Sequence, residues 1–178
     1  MISDIKIYEN FLSEKSLELL NKTVENIFNH KDELPIFSSS FSHWDKNLIK
    51  SSTPILRYFL NERDIDLTSL LINEIENRIP YYIGGIIIHI MPKLSYIPWH
   101  NDAGHSAALT IYLNENWNPD WGGFFMYRTE NEIKAIRPIK NTAILQSGGI
   151  VHSVSTINMD ADYRISLQCF LNNKKKLL

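Results

Sequence analysis

The chain has 178 residues, of which 44% are hydrophobic and 11% aromatic, enough for one folded domain with a substantial core. Its net charge of −2 and its pI near 6.3 exclude the strongly basic surface expected of a general nucleic-acid-binding protein. A single cysteine, Cys169, excludes an internal disulfide bond and is typical of a reducing compartment.

Hydropathy gives no indication of membrane attachment. No apolar run approaches the roughly 20 residues that span a bilayer. The N-terminus carries acidic residues where a secretory signal would have a basic and then an apolar stretch. We therefore expect a cytoplasmic protein that does not bind membranes.

The first half of the chain is predicted to supply helical support. Ile5 to Tyr8 alternates like a short strand. Ser13 is expected to cap a helix, because serine is a favoured N-cap residue and apolar side chains follow at near-helical spacing. The apolar residues of this helix are Leu17, Leu19, Leu20, Val24 and Phe28.

Residues 31–53 contain Pro35, three consecutive serines and Trp44 without a clear period. We interpret this stretch as a loop region that can approach the functional site. After it, Asp66 is predicted to cap a second helix, which Pro80 ends. The predicted core side of this helix comprises Leu71, Ile72, Ile75 and Ile79.

From residue 82 onward, short apolar or alternating runs are separated by Gly, Pro, Asn and Asp. Such runs indicate short strands in an antiparallel sandwich or barrel. We predict eight strands, at residues 85–91, 96–100, 107–113, 123–127, 133–138, 142–146, 151–155 and 163–171. The chain is thus expected to be a single domain over residues 1–178, with residues 1–81 as N-terminal strand and helical support and residues 82–172 as the β core.

Three potential metal ligands occur in the β-rich part. His100 and Asp102 are two residues apart at the end of a predicted strand, so strand alternation directs both side chains to one side. His152, in the seventh predicted strand, adds a second imidazole. Two neutral imidazoles and one carboxylate suit Fe(II) and leave positions open for a chelating co-substrate and O₂.

The HxD pattern alone occurs by chance in many chains. A further signal is Arg164, which lies inside an apolar strand 12 positions after His152. Arginine is rarely buried unless an anionic group pairs with it. The spacing therefore favours a site that combines a metal with an anionic ligand.

Together these motifs resemble the Fe(II)/2-oxoglutarate-dependent dioxygenases, and among them the prolyl-4-hydroxylase-like branch. The motifs are HND at 100–102, IYLNENW at 111–117, WGGFFMY at 121–127, His152 and Arg164. The resemblance implies a mostly β (α+β) fold, a double-stranded β-helix or jelly roll of about eight strands with N-terminal supporting helices. It also implies that His100, Asp102 and His152 bind Fe(II) and act in catalysis.

The same resemblance implies a site for the co-substrate 2-oxoglutarate. Arg164 would bind its far carboxylate through a bidentate guanidinium, and Ser166, two residues along the same strand face, would donate a hydrogen bond. Tyr112 matches a tyrosine that often contacts this carboxylate, and a core tyrosine with a satisfied hydroxyl is the alternative. Relatives often carry another tyrosine near His89, and its absence leaves open whether His89 or Gln168 makes that contact.

The implied activity is hydroxylation of an unactivated C–H bond, with O₂ and 2-oxoglutarate as co-substrates. The substrate class implied is a prolyl or other amino-acid moiety in a peptide, protein or small molecule. The alternative is a non-catalytic or zinc-binding cupin-like jelly roll that holds another metal with the same three side chains. Arg164 with Ser166 discriminates, because such a module needs no clamp for a diacid.

Overall fold

The computed structural model describes residues 5–30, 37–39, 55–60 and 64–174, and it contains two antiparallel sheets. In spatial order, the larger sheet consists of β1 (Ile5–Tyr8), β9 (Ala143–Ser147), β6 (Ala107–Tyr112), β11 (Arg164–Asn173), β4 (Tyr81–Met91), β3 (Leu56–Phe59) and β2 (Phe37–Ser39). The smaller sheet consists of β5 (Ile97–His100), β10 (His152–Val154), β7 (Phe125–Arg128) and β8 (Ile133–Ile136). This is the mostly β, jelly-roll arrangement predicted from the sequence.

The eight strands predicted after residue 82 correspond in order to β4 through β11. Some boundaries differ, since β4 begins at Tyr81 and β11 continues to Asn173. The loop interpretation of residues 31–53 is wrong at Phe37–Ser39, which form β2 against β3. The rest of that segment lies outside the described residues. The sequence pattern also did not predict β3, because its four residues do not alternate in polarity.

Two helices pack on the outer face of the larger sheet, α1 (Glu14–His30) and α2 (Ile65–Glu76). The side chains on this outer face, such as Ile88, Ile111 and Leu167, pack against the helices in one apolar core. Cys169 belongs to this core, and its burial raises the pKa of the thiol to about 12. Cys169 is therefore a small core residue. None of the helices in the described part of the chain is long and apolar enough to cross a bilayer.

The cap predicted for α1 is confirmed, because the Ser13 hydroxyl accepts a hydrogen bond from the Ser16 backbone N–H at 3.3 Å. The cap predicted for α2 is wrong. That helix begins at Ile65 after Asp64, whose side chain makes no capping hydrogen bond, so Asp66 lies within its first turn. The Asp64 carboxylate instead accepts hydrogen bonds from the Tyr58 hydroxyl at 3.2 Å. The residue at the N-cap position, Asp64, therefore binds a side chain from β3 and does not cap the helix.

The core sides of the helices differ slightly from the predicted ones. In α1 the buried apolar residues are Leu20, Val24 and Ile27, of which Ile27 was not predicted. The predicted Leu17, Leu19 and Phe28 are partly buried. In and beyond α2 the buried apolar residues are Leu67, Leu71, Ile75 and Ile79, with Ile72 partly buried.

Candidate active site

The three potential metal ligands meet at one end of the smaller sheet. His100 ends β5 and His152 begins β10, and the antiparallel register pairs these two residues directly. Asp102 lies two residues beyond β5. Its Oδ1 is 3.7 Å from His100 Nε2, and its Oδ2 is 3.5 Å from His152 Nε2. One donor atom from each side chain lies within 4.8 Å of the others, so the three can share one ion.

Backbone carbonyls select the tautomer of both imidazoles. His100 Nδ1 lies 2.8 Å from the carbonyl oxygen of Pro98, and His152 Nδ1 lies 2.9 Å from that of Ile150. A carbonyl oxygen can only accept a hydrogen bond, so each Nδ1 carries the proton in the neutral ring. Both Nε2 lone pairs are therefore available on the side of Asp102. This is the form in which histidine binds metals, with its second nitrogen held by an acceptor.

A cavity separates this group from the inner face of the larger sheet. Its lining residues are His89, Ile97, His100, Asp102, Thr110, Phe125, His152, Val154, Arg164, Ser166, Gln168 and Phe170. One wall of the cavity is polar. It is formed by Arg164, Ser166 and Gln168, which lie at every second position of β11 and so face the same side of the sheet. Ser166 is paired with Tyr112 on one side and with His89 on the other.

Arg164 is the most unusual residue of this wall. It is 2% exposed, yet it forms no salt bridge with any carboxylate in the part of the chain that the structure describes. Its Nε donates to the Gly123 carbonyl at 2.8 Å, and its Nη1 lies 3.3 Å from Met91 Sδ and 3.5 Å from Ser166 Oγ. Burial lowers the pKa of Arg164. A buried guanidinium with only neutral partners is suited to an anionic ligand.

Tyr112 lies behind this guanidinium. It is fully buried, and the Arg164 guanidinium carbon is 5.0 Å from the centre of its ring. Burial raises the pKa of Tyr112, with the Arg164 charge acting in the opposite direction. Its hydroxyl has no hydrogen-bond partner among the described residues. A buried hydroxyl in this position can donate to an acceptor that binds beside Arg164.

His89 and Gln168 both line the cavity. Burial, followed by the charges of Arg57 and Arg164, lowers the pKa of His89 to about 3, so its imidazole is neutral. The Gln168 amide is oriented by the Thr110 hydroxyl, which donates to Gln168 Oε1 at 2.6 Å. Each can therefore offer a neutral polar contact in place of the tyrosine that the sequence lacks.

A wider groove of about 520 Å³ adjoins the cavity and shares three lining residues with it, His89, Asp102 and Phe170. The turn at residues 101–105 forms one side of this groove. His105 stacks on Phe170 with ring centroids 4.4 Å apart. The groove leads from solvent to the carboxylate of Asp102 and provides room for a side chain or a small molecule.

Two adjacent glycines of the WGGFFMY motif hold this arrangement together. Gly122 and Gly123 have φ values of 69° and 66°. A Cβ on Gly122 would lie 2.2 Å from the Thr156 carbonyl oxygen, and one on Gly123 would lie 2.9 Å from Arg164 Cδ. Gly123 is thus needed both for its backbone conformation and for the close approach of the Arg164 side chain.

Sequence reasoning missed one further residue of the site. Gln146 lies on β9 in the larger sheet, and its Nε2 donates to Asp102 Oδ2 at 3.0 Å. Its position in the predicted strand 142–146 indicated which way it faces. Nothing in the sequence indicated that this strand lies opposite Asp102.

A family model described as the 2OG-Fe(II) oxygenase superfamily matches residues 87–172. No curated protein sequence matches the chain. Among solved structures, one similar chain is a prolyl hydroxylase from Trichoplax adhaerens in complex with a peptide fragment of the hypoxia inducible factor oxygen degradation domain. It has a TM-score of 0.76 at 19% identity, and the aligned region covers 96% of the present chain and 84% of the hydroxylase chain.

Two other solved structures show the same fold. A Pseudomonas putida prolyl-4-hydroxylase has a TM-score of 0.73 at 12% identity, with coverage of 97% of this chain and 94% of its own. The epimerase SnoN from nogalamycin biosynthesis, in complex with Fe³⁺, alpha ketoglutarate and a nogalamycin derivative, has a TM-score of 0.71 at 11% identity, with coverage of 96% and 79%.

Proposed function

We propose that the chain is a 2OG-Fe(II) oxygenase, the superfamily whose model matches residues 87–172, and that it hydroxylates a C–H bond of a prolyl or other amino-acid moiety in a peptide, protein or small molecule. The enzyme is an Fe(II)- and 2-oxoglutarate-dependent dioxygenase. The observation that carries the proposal is the pairing, across one cavity, of a His-Asp-His group with a buried arginine that has no carboxylate partner among the described residues.

In this proposal His100, Asp102 and His152 hold the ferrous ion. The donor set fits, because each imidazole has its Nδ1 beside a backbone carbonyl oxygen and its Nε2 within 3.7 Å of a carboxylate oxygen of Asp102. When bound, iron and 2-oxoglutarate supply the oxidation, in which O₂ is consumed and 2-oxoglutarate is converted to succinate and CO₂. The residues of the chain provide orientation and exclude water.

Arg164 and Ser166 would bind the far carboxylate of 2-oxoglutarate, and Tyr112 would donate its unpaired hydroxyl to the same group. Burial at 2% and 1% exposure for Arg164 and Ser166 makes their hydrogen bonds to an anion stronger than they would be in water. Neutral His89 adds no second charge beside the carboxylates. In this proposal the far carboxylate of 2-oxoglutarate is bound by residues of the larger sheet, and both histidine ligands of the metal come from the smaller sheet.

The substrate would occupy the groove beside Asp102. The likeness to a prolyl hydroxylase in complex with a peptide supports an amino-acid moiety, and the likeness to SnoN supports a small molecule. A groove of about 520 Å³ suits one residue of a peptide, or a small free substrate. A cytoplasmic location is also part of this proposal, and the single cysteine supports it because it is typical of a reducing compartment.

A non-catalytic or zinc-binding module remains the rival function. It accounts for the three metal ligands equally well. It does not account for Arg164, since burying a guanidinium without a counter-charge destabilises a protein that gains no ligand from it.

The test is anaerobic addition of Fe(II) and 2-oxoglutarate to the purified protein. We expect a visible metal-to-ligand charge-transfer band that needs both components and is lost in Asp102→Ala. With O₂, the wild-type protein should release succinate at least a hundred times faster than that variant. A folded wild-type protein that binds Zn²⁺ but shows neither the band nor succinate would support the rival.

A further inference from the structure

We propose that Gln146 is a positioning residue that holds Asp102 and His152 in their ligand arrangement before the metal enters. The inference rests on the proposed function of this site. Gln146 belongs to β9, next to β1 and β6 in the larger sheet, whereas both histidines belong to the smaller sheet. Its side chain crosses the interior and is 3% exposed.

The amide of Gln146 reaches two of the three ligands at once. Its Nε2 lies 3.0 Å from Asp102 Oδ2, 3.2 Å from His152 Nε2 and 3.4 Å from His152 Nδ1. A glutamine amide has two N–H donors. Because His152 Nδ1 donates its proton to the Ile150 carbonyl, His152 Nε2 is the acceptor on the side facing Gln146. One donor therefore serves the carboxylate and the other serves the imidazole.

The orientation of the amide follows from the same contacts. With the amide reversed, Gln146 Oε1 would face the carboxylate oxygen of Asp102 and the lone pair of His152, and three acceptors would meet. In the observed orientation Oε1 is buried without a hydrogen-bond partner among the described residues. The fold thus leaves one buried acceptor unsatisfied while both donors reach metal ligands, which is the pattern of a residue retained for the site rather than for stability.

Two consequences follow for metal binding. The bond to Asp102 Oδ2 can persist when an ion binds, so the carboxylate is already held in place and loses less conformational entropy, whereas the bond to His152 Nε2 orients the imidazole only until the ion takes its lone pair. A bond from Gln146 to Oδ2 also keeps one carboxylate oxygen occupied, which favours binding of the metal through the other oxygen. Binding through one oxygen leaves more positions open for co-substrate and O₂.

The first experiment measures metal affinity rather than turnover. Metal-free wild-type protein, Gln146→Met and Ile144→Val are titrated with Co²⁺, and binding is followed by the visible absorption of the ion. Gln146→Met keeps the length of the side chain and removes both donors. Ile144→Val changes packing two residues away on the same face of β9, where Ile144 is fully buried.

We expect Gln146→Met to weaken Co²⁺ binding about 10- to 100-fold, the usual effect of removing a partner that orients a ligand. Its melting temperature without metal should stay close to that of the wild type, because removal of an unsatisfied buried acceptor offsets the loss of the bonds to Asp102 and His152. Ile144→Val should bind Co²⁺ within about twofold of the wild type. An affinity of Gln146→Met within twofold of the wild type would overturn the proposal for Gln146.

A measurement on the wild type covers the case in which Gln146→Met does not fold. In the metal-free protein, NMR should show the two side-chain amide protons of Gln146 protected from exchange, with one of them shifting when Zn²⁺ takes the lone pair of His152. Rapid exchange of both protons would contradict the proposal. Wild-type protein that binds neither Co²⁺ nor Fe(II) would overturn the proposed function as well, whereas a wild type with the charge-transfer band and an unaffected variant would overturn only the role of Gln146.

Discussion

Replacing Arg164 by Met should change stability and co-substrate binding in opposite directions. The guanidinium is 2% exposed and has only neutral hydrogen-bond partners among the residues described. Removing a buried charge without a counter-charge recovers part of a desolvation cost of several kcal/mol, and losing the bond to the Gly123 carbonyl costs about 1 kcal/mol. We therefore expect the ligand-free variant to be more stable by about 1 kcal/mol, which raises the melting temperature by about 2–4 °C in a domain of this size.

Binding of 2-oxoglutarate should fall sharply in the same variant. Two hydrogen bonds from a guanidinium to a carboxylate contribute about 1.5 kcal/mol or more each, so their loss weakens binding by about 100-fold. At a concentration 100 times its dissociation constant, 2-oxoglutarate stabilises the wild type by about 2.7 kcal/mol. At the same concentration the variant should gain only about 0.4 kcal/mol.

The assay is thermal unfolding with Mn²⁺, which does not support the oxidation, in the presence and absence of 2-oxoglutarate. Arg137→Met is the matched control, because Arg137 is exposed and the chemical change is the same. The control should unfold like the wild type under both conditions. The reasoning is refuted if Arg164→Met lowers the melting temperature without ligand and keeps the full stabilisation by 2-oxoglutarate.

Three further predictions follow from the site and its supports. Burial lowers the pKa of His89 to about 3, below its value of about 6.5 in the unfolded chain. As the pH is lowered, the unfolded state binds the proton first. The free energy of unfolding should therefore decrease from pH 6.5 down to pH 3, by up to about 1.4 kcal/mol per pH unit. Urea unfolding at stepped pH should show this slope in the wild type and a flatter one in His89→Gln. Asn141 has φ of 56° and exchanges two buried hydrogen bonds with the Leu12 backbone at 2.7 and 2.9 Å. Asn141→Ala should therefore lower stability by about 2–3 kcal/mol, and a loss below 1 kcal/mol in chemical denaturation would contradict this account. Gly123→Ala should displace Arg164 and raise the KM for 2-oxoglutarate at least tenfold, with little change in the affinity for Co²⁺.

The secondary structure of the β core could be predicted well because its signals are local. Alternation and turn residues are properties of a few consecutive positions, and they located all eight strands from β4 to β11. The errors arose where longer-range contacts decide the structure. Asp64 precedes α2 and is bound by the Tyr58 hydroxyl from β3, and no pattern within the helix itself could indicate that contact.

By itself, the sequence determined where the strands of the β core lie along the chain and which side chains share a face of each strand. It also determined which residues have the chemistry of ferrous ligands, because strand alternation and residue chemistry do not depend on distant partners. Only the tertiary structure decided that His152 is paired with His100, that Arg164 is buried against neutral partners, and that Gln146 lies opposite Asp102. Strand pairing joins residues far apart in the chain, and the register of such pairs depends on the packing of the whole molecule.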